Sequence, residues 1–96
     1  AFLASFRAGR RIERVQVTSR DVRVVQETPR EHRLVWESPT AFTRVRVERD
    51  EGRTTGLKLA LSGKELAVAA ALSPRERAEF AQALERAIWQ AKRGLG

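Results

Sequence analysis

His32, the single histidine of the sequence, stands between Glu31 and Arg33. An imidazole beside a carboxylate is the minimum for general-base work, provided that a serine nucleophile converges on it in space. No Gly-x-Ser-x-Gly turn or comparable setting for a nucleophile accompanies it. The residue reads as a solvated turn histidine. The absence of cysteine removes thiolate nucleophiles, disulfides and sulfur metal ligands, and it fits a reducing compartment. Asp50-Glu51 is an adjacent acidic pair without the ligand spacing of a calcium loop. Gly52, Gly56 and Gly63 are isolated, and no phosphate-cradling glycine motif occurs. The expectation is a protein without catalytic residues, metal or cofactor.

What the chain has in quantity is positive charge. Lys and Arg number 19 against 12 Asp and Glu, a net +7, and arginine supplies most of it. The densest excess lies at the start, where Arg7, Arg10, Arg11 and Arg14 face only Glu13. Such an excess suits anionic headgroups or nucleic acid through long-range attraction; an arginine-rich genome accounts for it equally well. The opening Ala1-Phe2-Leu3-Ala4-Ser5-Phe6 is apolar, so the order is apolar first and basic second. A secretory leader runs the other way. Apolar followed by basic is the pattern at the cytoplasmic exit of a membrane-crossing helix. An amphipathic helix start with a solvated arginine face is the alternative.

No apolar run approaches the roughly 20 residues that a crossing helix needs, so any span is expected upstream of Ala1. The lack of any methionine fits a segment of a longer product. On this reading residues 1–12 are a juxtamembrane basic segment. Phe2, Leu3 and Phe6 form the interfacial end of the span. Arg7, Arg10, Arg11 and Arg14 lie against an anionic membrane surface, each worth about 1 kcal/mol there and weakened by salt.

Residues 13–96 then form one strand-rich domain with a C-terminal helix over 73–93. Ninety-six residues suffice for one core. Period-two alternation, the strand signature, runs through Val15/Val17, Val22/Val24, Leu34/Trp36, Thr43/Val45/Val47, Leu57/Leu59/Leu61 and Leu66/Val68/Ala70/Leu72. Val35 blurs the third run. Short turn-like breaks separate the runs, with a longer loop over Asp50–Gly56 and a tight Ser62-Gly63-Lys64 hairpin. Short breaks predict antiparallel neighbours. The helix carries the clearest local signals: Ser73 as N-cap, Pro74 at the first position and Glu76 closing a capping box. Phe80, Ala81, Leu84, Ala87, Ile88 and Ala91 follow on one stripe. The fold class is α+β: about six antiparallel strands in a meander or curved partial barrel, then one amphipathic helix, an order that pleckstrin-homology-like domains share by analogy.

Trp89 falls outside the apolar stripe, so it either caps the edge of the core or contacts a partner. Arg44 and Arg46, with Arg23 and Arg33, occupy outward strand positions, which makes a nucleic-acid-binding sheet face the rival reading. Single-strand sites need aromatic platforms on that face. Only Phe42 is in phase with the arginines, and Glu27, Glu37 and Glu48 interleave with them. Cross-strand ion pairs on a solvated face are the preferred account, and nucleic acid the disfavoured partner. Another membrane or cytoplasmic protein, docking through Trp89, is compatible with either location.

Three stretches carry a resemblance: Phe6-Arg7-Ala8-Gly9-Arg10-Arg11, Leu57 through Val68, and Leu72-Ser73-Pro74-Arg75-Glu76-Arg77 leading to Leu84. Together they resemble an uncharacterised bacterial integral membrane protein family, domain of unknown function 2244. Its members have two transmembrane helices near the N-terminus and then a soluble cytoplasmic domain. The family tends to have a glycine before the capped helix, where this chain runs Ala69-Ala70-Ala71. The resemblance implies no activity, ligand or catalytic residue. It implies placement at the inner membrane, with the domain facing the cytoplasm.

Overall fold

The computed structural model describes residues 1–94. Four strands, β1 (Phe2–Ala8), β2 (Arg11–Val17), β3 (Asp21–Glu27) and β4 (His32–Pro39), make one antiparallel sheet in the order β1-β2-β3-β4. A 3-10 turn, Thr40–Phe42, carries the chain to a second sheet of β5 (Arg44–Asp50), β6 (Arg53–Leu61) and β7 (Lys64–Ala67), in the order β5-β6-β7. One helix, α1 (Pro74–Lys92), follows. The α+β class and the strands-then-helix order agree with the sequence reading.

Each sheet turns its alternate branched residues inward. Val15, Val17, Val22 and Val24 from the first sheet and Leu57 and Leu59 from the second are almost wholly buried. They share one core with Phe80, Ala81, Leu84, Ile88 and Ala91 of α1. The helix starts as expected: Ser73 Oγ accepts from the Glu76 N–H at 3.2 Å while the Glu76 carboxylate accepts from the Ser73 N–H at 3.0 Å. Gly94, at φ 73°, ends it. The crossing between sheets is tied by hydroxyls. Trp36 Nε1 donates to Ser38 Oγ, and Thr43 Oγ1 donates to the Pro39 carbonyl, which leaves Ser38 as the donor in the 2.6 Å Ser38–Thr43 contact.

Four expectations are corrected. The boundary expected near Glu13 does not exist, because Phe2–Ala8 is a strand paired along its whole length with β2, from Phe2↔Val17 to Ala8↔Arg11. The domain therefore has seven strands. The expected long loop over Asp50–Gly56 is a two-residue turn. Glu51 and Gly52 both take positive φ, as the mirror-image hairpin turn requires, and β6 begins at Arg53. Leu34 does not share a face with Trp36. A bulge makes Val25 oppose Leu34 while Val24 opposes Trp36, so Val35 is the extra residue and Leu34 points outward, 54% exposed.

The last run is shorter than expected: β7 ends at Ala67, Val68 still donates its N–H to the Leu57 carbonyl at 2.9 Å, and the backbone turns away from the sheet at Ala69. Ala69, at φ 60°, donates its N–H to Glu13 Oε1 at 2.8 Å, and its carbonyl accepts from Arg77 Nε at 3.1 Å. The left-handed conformation at Ala69 is the one glycine adopts most readily, which gives a physical reason for a glycine in this segment.

Glu13 is an inward-facing carboxylate. Burial pushes its pKa above the ordinary value, partly offset by the Ala69 N–H. The folded state thus binds the proton more tightly than the unfolded one, and Glu13 favours folding more as pH falls. Glu27, held low by its hydrogen bond from Arg14, and Glu76, held low by Ser73, act oppositely: their contributions are lost as pH falls through their depressed values. A Glu13→Gln variant keeps an oxygen for Ala69. In urea titrations at several pH values, the wild type should gain stability relative to this variant as pH drops from neutral toward the ordinary carboxylate range. A difference that stays flat with pH would remove the buried-acid assignment.

Candidate functional site

The antiparallel registers sort the connections to two ends of the molecule. Phe2, Val17, Val22 and Ser38 are successive partners across the first sheet, so the start of β1, the β2–β3 turn and the end of β4 lie together. Thr40 fastens the 3-10 turn to this end by donating from Oγ1 to the Thr18 carbonyl and from N to the Arg20 carbonyl. The β6–β7 turn arrives beside it, since Phe42 and Gly63 border one depression. The last turn of α1 completes this end. Lys92 borders the same depression, and on the other flank of the helix Ala1 lies with Gln90 and Ala91 along a small cleft.

The three partner-contact candidates meet here. Arg44 and Arg46 line the depression with Phe42 and Lys92; a neighbouring hollow is bordered by Arg44, Glu85, Trp89 and Lys92. Trp89 is 56% and Phe42 69% exposed, and the Arg93 guanidinium sits over the Trp89 ring at 4.8 Å from its centre. Among the described residues no carboxylate reaches ion-pair distance of Arg44, Lys92 or Arg93; Arg46 instead pairs with Glu65 at 2.7 Å. Sequence reasoning did not assign Lys92 and Arg93 to this surface, although they follow Trp89 by three and four residues, the spacing of one helix face. The arrangement can hold anionic groups beside apolar ring surface.

The membrane-surface candidates are divided by the fold. Phe2 and Phe6 face inward against Phe80, with ring centres 6.2 and 4.6 Å away. Leu3 points outward and is 64% exposed. Arg14, also outward, donates Nε to Glu27 Oε1 at 2.6 Å and reaches Ser5 Oγ at 3.1 Å. Arg7, Arg10 and Arg11 gather at the exposed β1–β2 turn, at the far end of the molecule from Ala1. His32 opens β4, exposed, with Nε2 3.4 Å from Glu27 Oε1. Among the described residues no group of three or more acidic, histidine or cysteine side chains is placed to hold a metal.

The family model described as an integral membrane protein (DUF2244) matches residues 1–88, all but the end of α1. The chain belongs to this integral membrane protein family. No curated protein and no solved structure matches it. Among the described residues no helix is long and apolar enough to cross a membrane. The DUF2244 match runs through β1 and the capped helix start and takes in Phe42, Arg44 and Arg46, and it stops before Trp89, Lys92 and Arg93.

Proposed function

We propose that this domain is a non-enzymatic interaction module of a membrane protein, held at the cytoplasmic surface of the inner membrane by crossing helices upstream of Ala1. The observation that carries the reading is the match to an integral membrane family over a stretch in which no described helix can cross. The basic excess supports the cytoplasmic side, because basic residues near membrane ends stay inside. Its partners are the anionic membrane surface and a second protein. The order of strands before one C-terminal helix is a likeness to pleckstrin-homology-like domains in architecture alone.

The rival sheet-face reading has less support. On the outer face of the second sheet, Arg46–Glu65 at 2.7 Å and Lys58–Glu48 at 3.5 Å are the cross-strand pairs expected of a solvated face. They neutralise much of the field that a nucleic acid would meet.

Fractionation of the full-length native protein with a high-pH carbonate wash of the membranes tests the placement. The protein is expected in the washed pellet. Release into the supernatant would overturn the membrane reading.

A further inference from the structure

We infer that the domain rests on the membrane by the end that carries Phe42, Arg44, Trp89, Lys92 and Arg93, with both rings at the level of the anionic headgroups. The inference deepens the membrane-surface reading and rests on it. Two independent observations carry it. The first is where the chain enters the domain. Ala1 lies along the cleft bordered by Ala87, Gln90 and Ala91 of the last helical turns. β1 then runs away from that end at about 3.3 Å per residue, so Arg7 lies about 20 Å farther off and the β1–β2 turn farther still. An anchor joined at Ala1 holds the Trp89 end close and the arginine-bearing turn distant.

The second observation is chemical. Trp89 and Phe42 are two of the four large apolar side chains exposed on the described surface, and both stand at this end. Tryptophan concentrates at membrane interfaces because its ring is apolar and its N–H is wet. Around them Arg44, Lys92 and Arg93 lack carboxylate partners among the described residues. The connections at this end, 18–20, 40–43 and 62–63, contain Arg20 and no acid, and Asp21, which follows the first of them, is paired with Arg23 at 3.3 Å; those at the far end hold Glu31 and Glu51 beside Arg10 and Arg30. Glu85, farther up the helix, is the acid that borders the hollow. A basic, acid-poor end with exposed rings complements an anionic leaflet; the far end is mixed in sign.

Co-sedimentation of the chain with phosphatidylcholine vesicles, with and without about a third phosphatidylglycerol, separates the two ends. The triple variant Arg44→Glu/Lys92→Glu/Arg93→Glu should bind the anionic vesicles at least roughly tenfold more weakly. Arg7→Glu/Arg10→Glu/Arg11→Glu should bind within about twofold of wild type. A second readout needs no charge change: wild-type tryptophan fluorescence should be quenched by lipids brominated near the headgroup, and Trp89→Phe should abolish that component. The reverse ranking of the triple variants would put the opposite end on the membrane and overturn the inference while leaving the anchored reading to the carbonate wash. Wild type that ignores anionic vesicles, or that binds single-stranded oligonucleotides through these residues in preference to vesicles, would overturn it too.

Discussion

Replacing Arg77 by methionine should remove about 3–4 kcal/mol of folding stability and lower the melting temperature by roughly 12–30 °C in a domain of this size. Arg77 is a buried cation, 8% exposed, with no carboxylate at ion-pair distance among the described residues. Its guanidinium is spent on backbone. Nε donates to the Ala69 carbonyl, one Nη to Thr54 at 2.8 Å, and the other Nη to Leu72 at 2.6 Å and Ala70 at 3.3 Å. One planar fork thereby holds the connection between β7 and α1 and fastens it to β6. Methionine fills the space but strands the buried Ala69 and Thr54 carbonyls away from water, and each unsatisfied buried group costs about 1–3 kcal/mol. Lysine keeps the charge but cannot span four acceptors, so Arg77→Lys should fall between the two. Chemical denaturation of the three proteins reads the series directly. A methionine variant within 1 kcal/mol of wild type would mean that water satisfies those carbonyls and that the connection is not held as described.

Arg77 also marks how far the sequence was legible. It closes the stretch Leu72-Ser73-Pro74-Arg75-Glu76-Arg77 that carries part of the resemblance, where it reads only as one more basic residue at a helix start. The cap itself was readable, because Ser73, Pro74 and Glu76 act on neighbours one turn away. The arginine's role was not, since three of its acceptors, Ala69, Ala70 and Leu72, lie in the preceding connection and the fourth, Thr54, on β6. The same division explains β1. Phe2, Ala4 and Phe6 alternate with Leu3, Ser5 and Arg7, a strand period, but Leu3 breaks the polar phase and the apolar-then-basic order mimics a membrane exit. The bulge at Val35 hid the outward turn of Leu34, because a single inserted residue flips every side chain beyond it. At the basic end, Trp89, Lys92 and Arg93 share a helix face that spacing reveals. Their meeting with Phe42 and Arg44 depends on how the helix lies across both sheets, and no local pattern encodes that.

Replacing Phe80 by alanine should cost about 3–5 kcal/mol, and the loss should appear first in β1. Phe80 is buried on the core stripe of α1, stacked on Phe2 at 26° and meeting Phe6 nearly edge-on at 78°. Such aromatic pairs add about 0.5–1.5 kcal/mol each beyond the area they bury. β1 is an edge strand with one hydrogen-bonded neighbour, so these rings are what fastens its inner face to the helix. Removing the central ring leaves a cavity that two partly exposed phenylalanines cannot close from the edge. Amide exchange along 2–8 should therefore accelerate well beyond that along β3, the inner strand, and Phe6→Ala should repeat the effect more weakly. These measurements are made without lipid, which is what gives them their force. If Phe2 and Phe6 were the end of a membrane span, their loss would leave the stability of the isolated chain unchanged and affect only its binding to vesicles. A fall in stability in plain buffer, with β1 losing protection first, assigns the two rings to the core and leaves the surface around Trp89 as the aromatic face available to a bilayer.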